Sequence, residues 1–274
     1  MQTRPLSPAL GAEVLDFELP AEWTDEDTAA VRAAFREHHL LLFREADLAP
    51  ERQVALVRAL GLAPDAWKDG KEYGLLSNTR PEAPNYGKHN PYLFHSDLTW
   101  KETPIAAISL YALVLPEASS PTDFANAVHA ATTIPGELHD RFEGQEALFL
   151  IDFDGGDNRY SAETASPEAP RALQLVLYPE PISGKESLII DQLFMDIVVG
   201  WEREESEQAR RVAHEHLYAP DNVYRHEWQV GDLVVWNNLS LQHGRPQLPG
   251  TGERTHRRVS GSHGGIDHWE ASHR

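Results

Sequence analysis

The part of the chain after residue 94 contains a series of short apolar runs separated by polar turns, and this series limits the folds that the chain can adopt. The runs predict strands at 106–115, 146–153, 172–178, 187–191, 222–228, 232–238 and 256–261. A single helix is predicted among them, at 202–217, whereas a parallel α/β fold needs a helix between most strand pairs. We therefore predict a mainly β fold with flanking helices, built as a sandwich or jelly roll.

The first third of the chain is predicted to be helical in two places. In TDEDTAAVRAAFREHH, Thr24 can cap a helix whose third residue is Asp27, a position at which a carboxylate interacts favourably with the helix dipole. In PERQVALVRALG, Pro50 and Gly61 provide the usual start and stop signals of a helix. Between the two helices, LLLF at 40–43 predicts a strand.

Two segments lack a sustained hydrophobic period. Residues 65–93 are rich in Pro, Gly, Asn and charge and predict a long loop, and residues 152–170 predict a mobile loop that could act as a lid. No internal repeat or low-complexity tract is present, and the length fits one large domain. We therefore predict a single domain over residues 1–274, with a jelly-roll core at about 94–261.

The composition excludes several classes of partner and site. The chain has 24 Lys and Arg against 43 Asp and Glu, a formal net charge of −19, which repels a phosphate backbone, so we expect no nucleic-acid partner. No run approaches the ~18 apolar residues of a membrane helix, and the N-terminus lacks a signal-peptide pattern, so we expect a cytoplasmic protein without a membrane partner. Because there is no cysteine, any metal must be held by histidine and carboxylate side chains.

The stretch FHSDLTW, at residues 94–100, places a histidine and an aspartate two positions apart in a β-prone run. Alternation along a strand puts His95 and Asp97 on the same face, so both can bind one ion. A third ligand is available in GDLVVWNNLSLQHGR, where a strand-like run leads to His243. Two imidazoles and one carboxylate form the metal site of non-haem Fe(II) oxygenases. An isolated H-x-D pair is a weak signal, because most such pairs are solvated on a surface strand.

The context of these residues is more specific. The chain resembles the taurine dioxygenase-like (TauD/TfdA) group of Fe(II)/2-oxoglutarate-dependent oxygenases through FHSDLTWKETP, PISGKESL, VYRHEWQVGDLVVWNN, QHG and RTHRR. The likeness extends from VRAAFREHHLLLFRE near the N-terminus to about residue 261. It implies a double-stranded β-helix core of the cupin-like type.

The resemblance also implies roles for individual residues. His95, Asp97 and His243 would be the iron ligands. Arg254, which lies 11 residues after His243, would bind the distal carboxylate of 2-oxoglutarate, and Thr122 would hydrogen-bond the same carboxylate. A guanidinium suits this position because it is planar, stays protonated and offers two-point donation to a carboxylate.

A second arginine and a few pocket residues are the candidates for substrate binding. By the resemblance Arg258 would meet an acidic group of the primary substrate, so we predict a small anionic molecule, with a carboxylate as its acid. His89, Asn90 and Trp100 are further candidates for the substrate pocket. The chain departs from the family pattern at WNNL, which replaces Trp-Asp-Asn-Arg, and Asn237 there cannot supply the negative charge of an aspartate to orient His243.

The activity that the resemblance implies is the oxidation of an unactivated C–H bond with Fe(II), 2-oxoglutarate and O2, releasing succinate and CO2. Hydroxylation is the default outcome, while desaturation or another oxidative tailoring reaction would use the same ligands. A cupin-like hydrolase or isomerase carrying zinc or manganese at the same three ligands stays open, as does a non-catalytic binding sandwich. Homo-oligomerisation also stays open, because edge strands must be covered or charged by some means.

Overall fold

The computed structural model describes residues 1–67, 69–80, 91–152, 160–246 and 252–263. Its strands are β1 Gln2–Pro5, β2 Ala12–Leu15, β3 Leu40–Phe43, β4 Ala63–Pro64, β5 Gly74–Ser77, β6 Tyr92–His95, β7 Ala107–Val114, β8 Thr122–Asn126, β9 Glu146–Leu150, β10 Arg171–Leu175, β11 Leu177–Glu180, β12 Lys185–Leu188, β13 Met195–Val198, β14 Val223–His226, β15 Leu233–Asn237, β16 Leu241–Arg245 and β17 Thr255–Ser262. Its helices are α1 Asp25–His38, α2 Pro50–Ala59, α3 Ala127–Thr133, α4 Gly136–Phe142 and α5 Arg203–Leu217, with a 3-10 turn at Pro220–Asn222.

Most strands belong to two sheets. The larger sheet has the order β1-β2-β3-β15-β7-β17-β4, with β5 also paired to β17, and the smaller sheet has the order β14-β8-β16-β6. All of these pairs are antiparallel except β2 with β3. Two short sheets, β10-β9-β13 and β11-β12, complete the β structure of the described residues. The prediction of a mainly β fold with flanking helices is confirmed.

The strand β3 shows why the larger sheet is apolar on both faces. Leu40 and Leu42 join a buried cluster that also contains Phe124 of the smaller sheet, so this cluster fills the space between the two sheets. Leu41 and Phe43 point the other way and pack with residues of α1 and α2. Because successive side chains of a strand alternate between faces, a strand covered on both sides reads as a continuous apolar run.

The sequence signals at the helix ends are confirmed. The Thr24 side chain accepts a hydrogen bond from the Asp27 backbone N–H at 3.1 Å, and α1 is followed by its C-cap His39, whose φ is 62°. Pro50 is the first residue of α2, and Gly61 follows the helix with a φ of 88°. In the segments that the structure describes, no helix has both the length and the apolar character needed to cross a membrane.

Several predicted boundaries are wrong. The predicted loop at 65–93 contains β5, which pairs with β17 and so depends on a partner far away in the chain. The predicted strand at 172–178 is interrupted at Val176 and forms β10 and β11, while β9 ends three residues earlier than predicted. Residues 153–159 of the predicted lid lie outside the described residues, so the lid stays a prediction, as does the single domain.

The glycine near the end of β17 lets this strand pack closely against α2. A Cβ on Gly261 would lie 2.5 Å from Cγ1 of Val57 and 3.0 Å from Cβ of Leu62. We expect Gly261→Ala to lower the free energy of unfolding by about 1–3 kcal/mol, the usual cost of overpacking a core, as measured by urea denaturation. Gly136→Ala is the control, because a Cβ there meets nothing within 4 Å. Equal stability of the two variants would contradict the packing argument.

Candidate active site

The smaller sheet brings two of the predicted ligands together. Strand β6 pairs with β16 so that His95 lies directly opposite His243, and their ring centroids are 4.3 Å apart. The His95 ring is further enclosed by the edge-to-face rings of Tyr92 and Phe194, with centroids 4.7 and 5.4 Å away. One cross-strand pair therefore brings together two histidines that are far apart in the sequence.

Asp97 reaches the two histidines in a different way from the one predicted. Strand β6 ends at His95, and Asp97 lies in the turn that follows, where Leu98 has a φ of 59°. The prediction of two side chains on one face of a strand is therefore wrong. The turn nevertheless brings Asp97 Oδ1 within 2.9 Å of His95 Nε2 and 3.7 Å of His243 Nε2.

The three side chains form a cluster suited to a divalent metal ion. Their ligand atoms all lie within 4.8 Å of one another. His95 donates Nδ1–H to the Leu93 carbonyl at 2.7 Å, so Nε2 is the ring nitrogen that faces Asp97 Oδ1, at 2.9 Å. Two electron-pair donors this close need a cation between them, either a proton or a metal ion that displaces it. An imidazole and carboxylate donor set fits iron or manganese.

Electrostatics favour the ligand forms of these groups. Burial opposes ionisation of Asp97, but the Arg258 charge and the hydrogen bond from His95 outweigh burial and hold the pKa of this carboxyl well below its usual range. Burial, together with the charge of His95, lowers the pKa of His243 to about 3. At neutral pH the site therefore presents a carboxylate and an uncharged His243 ring.

The predicted substrate-binding arginine contacts a predicted metal ligand. Nη2 of Arg258 lies 2.7 Å from Asp97 Oδ2, and the arginine side chain is only 8% exposed. Asp97 thus directs one carboxylate oxygen to the histidines and the other to the guanidinium. This pair was not predicted, because it joins two segments that are remote in the sequence.

The predicted 2-oxoglutarate residues lie on neighbouring elements. Arg254 directly precedes β17, and its Nε is buried without a hydrogen-bond partner among the described residues. Burial and the charge of Arg245 lower the pKa of Arg254 to about 10, so the guanidinium stays protonated at neutral pH. Its neighbour Glu253 accepts hydrogen bonds from Thr255 and Arg80.

Thr122 connects to the arginine strand through two residues that were not predicted as site residues. Its hydroxyl oxygen accepts a hydrogen bond from Trp228 Nε1 at 2.9 Å. The Trp228 ring in turn packs edge-to-face on His256, with centroids 4.6 Å apart. Both ring nitrogens of His256 are buried and lack a partner in the described part of the chain. Alternation along β17, which turns residues 254, 256 and 258 to one face, is the signal that could have identified His256.

The other predicted residues do not belong to the cluster of His95, Asp97 and His243, or they lie outside the residues that the structure describes. Trp100 is buried in an apolar core cluster with residues of α3 and α5, and its assignment to a substrate pocket stays a prediction. His89 and Asn90 lie outside the described residues. The Asn237 side-chain oxygen accepts hydrogen bonds from the backbone N–H groups of Leu239 and Ser240, so it shapes the turn between β15 and β16.

Two packed β-sheets that carry two imidazoles and one carboxylate define the class of non-haem iron oxygenases. The family model described as "Taurine catabolism dioxygenase TauD, TfdA family" matches residues 2–260, and the chain belongs to this family. It is a 2-oxoglutarate-dependent non-haem iron dioxygenase. The predicted family, fold class and enzyme class are confirmed, and family membership counts against both the hydrolase and the binding sandwich.

The chain is also similar to individual relatives and to solved structures with the same fold. An alkylsulfatase of Acinetobacter baylyi is 25% identical over 276 residues, which are 95% of this chain and 84% of the relative. A (S)-phenoxypropionate/alpha-ketoglutarate-dioxygenase of Sphingobium herbicidovorans is 26% identical over 277 residues, 94% of each chain. Among solved structures, AAD-2 in complex with Mn(II) and N-oxalylglycine has a TM-score of 0.81 at 21% identity, covering 95% of this chain and 98% of the other. A taurine dioxygenase from Burkholderia xenovorans has a TM-score of 0.78 at 22% identity, covering 95% and 89%.

Proposed function

We propose that His95, Asp97 and His243 bind Fe(II), and that the enzyme uses 2-oxoglutarate and O2 to hydroxylate an unactivated C–H bond of a small carboxylic acid. The products are the hydroxylated acid, succinate and CO2. The observation that supports this most directly is that His95, Asp97 and His243 offer ligand atoms that all lie within 4.8 Å of one another. Bound Fe(II) supplies the redox chemistry that activates O2 for oxidation of a C–H bond.

The protein's own residues prepare the metal site. The Leu93 carbonyl holds His95 in the tautomer that leaves Nε2 available as a ligand. The burial of His243 keeps its ring uncharged, so that one ring nitrogen has the free lone pair that a metal ligand requires. Arg258 fixes the second oxygen of Asp97, so the first oxygen faces the histidines.

Arg254 and Thr122 are proposed to bind the distal carboxylate of 2-oxoglutarate. Among the described residues the buried Arg254 Nε has no hydrogen-bond partner, and a ligand carboxylate would satisfy this donor. The Thr122 hydroxyl already accepts a hydrogen bond from Trp228, so its own proton remains available for donation. Each hydrogen bond to a charged group contributes about 1.5–3 kcal/mol.

The primary substrate is proposed to be an acid that approaches Arg258. The Arg258 guanidinium lies beside Asp97, and its positive charge would attract an acidic group of the substrate to the cluster. The names of several relatives contain anions: phenoxypropionate, 2,4-dichlorophenoxyacetate and sulfate esters. These anions support an acidic substrate for this chain.

The test begins with an anaerobic absorbance titration of the metal-free protein with Fe(II) and 2-oxoglutarate. We expect a weak visible charge-transfer band in wild type and in His129→Ala, a change at an exposed residue of α3, and no band in His243→Ala. Absence of a band in wild type, combined with tight zinc binding, would favour the cupin-like hydrolase instead.

Substrate class is then tested by succinate release in air. We expect aryloxyalkanoic acids to accelerate succinate formation, and their uncharged carboxamides to have no effect. An alkyl sulfate ester tests the alternative anion. Acceleration by the sulfate ester alone would overturn the carboxylate assignment, and acceleration by the carboxamides would overturn the role of Arg258.

A further inference from the structure

We infer that Asn238 is a positioning residue for Asp97: its side-chain amide holds both backbone groups of this ligand in place. The inference deepens the proposed function, since it depends on Asp97 being a metal ligand. Asn238 lies in the turn between β15 and β16, directly after Asn237, and its side chain is fully buried.

The contacts of Asn238 are specific. Its Oδ1 accepts a hydrogen bond from the Asp97 backbone N–H at 2.9 Å, and its Nδ2 donates to the Asp97 carbonyl at 3.0 Å. The second Nδ2 proton goes to the Ile105 carbonyl at 2.9 Å, and the Asn238 backbone N–H donates to the Ala106 carbonyl at 2.9 Å. One residue therefore ties the Asp97 turn both to the start of β7 and to the β15–β16 turn that leads to His243.

Asp97 needs such an anchor because it lies outside the strand ladders. The adjacent Leu98 has a left-handed φ of 59°, a conformation that is unfavourable for a non-glycine residue and persists only where the surroundings impose it. Backbone groups of a buried turn must also be satisfied by some partner. Asn238 satisfies both groups of Asp97, and it thereby fixes where the Cα of Asp97 lies relative to His95 and His243.

The chemistry of the contact requires an amide. An aspartate at position 238 would keep an acceptor for the Asp97 N–H, but it would lose both N–H donors and place a carboxylate against two carbonyl oxygens. Alanine would leave the Asp97 backbone groups and the Ile105 carbonyl without these partners. Serine retains a single donor and is the milder change.

The experiment measures two quantities on the metal-free protein: the melting temperature and the Mn(II) affinity by isothermal titration calorimetry. Mn(II) is redox-stable and accepts the same nitrogen and oxygen ligands. Asn222→Ala is the matched control, because Asn222 is also buried and its Nδ2 also donates to two carbonyls, those of Asn126 and Leu217. His243→Ala reports whether Mn(II) binds at the proposed site.

We expect Asn238→Ala and Asn222→Ala to melt at lower temperature, whereas only Asn238→Ala loses Mn(II) affinity, by about 10–100-fold, as is usual when a residue that orients a ligand is removed. If Asn238→Ala does not fold, Asn238→Ser is expected to show a smaller loss of the same sign. If the folded Asn238 variant binds Mn(II) as tightly as wild type while His243→Ala has lost this affinity, the inference about Asn238 is wrong and the proposed metal site stands. Unchanged affinity in His243→Ala would overturn the proposed metal site.

Discussion

Replacing Asp97 by alanine is expected to abolish 2-oxoglutarate-dependent turnover and to weaken Mn(II) binding by more than about 100-fold. Removing a residue that only orients a ligand already costs about 10–100-fold in metal affinity, so the loss of a ligand costs more. Asp123→Ala is the matched control. Asp123 also pairs with an arginine, Arg225, at 2.7 Å, but this pair lies between β8 and β14. Wild-type Mn(II) affinity in Asp97→Ala would contradict the assignment of the ligand.

The same substitution separates the two roles of the carboxylate. Asp97→Ala leaves the buried Arg258 without its acidic partner, and breaking such a buried pair costs about 3–5 kcal/mol. The double variant Asp97→Ala/Arg258→Leu removes the uncompensated charge, so it is expected to recover part of the lost stability. It is not expected to recover metal binding. With Arg258→Leu as the second single variant, urea denaturation and calorimetry on wild type and the three variants form a double-mutant cycle that measures the two effects independently.

Local signals explain why much of the fold was predictable. The run LLLF reads as a buried strand because both faces of β3 are covered, and Thr24, Pro50 and Gly61 mark helix ends through their own backbone preferences. Each of these signals lies within a few residues of the structure it predicts. Such elements can be predicted without knowing which residues they contact in the folded chain.

Strands that depend on distant partners were missed. Strand β8, TDFAN, is fully buried although three of its five residues are polar, since Asp123 pairs with Arg225, Thr122 contacts Trp228, and the Asn126 side chain donates to the Ala9 carbonyl. The sequence alone does not reveal these partners. A hydrophobic pattern therefore underestimates strands whose polar groups are satisfied by tertiary contacts.

The candidate site also combines features that the sequence predicts with features that depend on tertiary contacts. The resemblance to the family predicted that His95, Asp97 and His243 lie together, yet the strand-face argument for Asp97 was wrong, because Asp97 lies in a turn. The contacts that hold Asp97 come from Asn238 and Arg258, each more than 140 residues away in the sequence. A motif thus predicts which residues are candidate ligands, while the orientation of their side chains depends on contacts that only the folded chain creates.

Replacing Arg254 by alanine is expected to raise the dissociation constant of 2-oxoglutarate from the Mn(II)-loaded protein by about 10–150-fold, measured by calorimetry. This range corresponds to the loss of one charge-assisted hydrogen bond of about 1.5–3 kcal/mol. Arg254→Lys is expected to recover only part of the affinity, because an ammonium group cannot make the planar two-point contact with a carboxylate. An unchanged dissociation constant in Arg254→Ala would contradict the assignment.

Arg257→Leu distinguishes a binding role from a structural one. Arg257 lies on the same strand but faces the helices, where its guanidinium donates to Gln53 Oε1 at 2.7 Å and to the Leu48 carbonyl at 2.5 Å. Its loss should lower the melting temperature and leave 2-oxoglutarate affinity unchanged. Arg254 has a buried Nε without a protein partner in the described residues. Its loss should therefore lower the 2-oxoglutarate affinity and leave the melting temperature unchanged. Side-chain alternation from Arg254 into β17 thus predicts that Arg257 stabilises the fold and that Arg254 binds the cosubstrate.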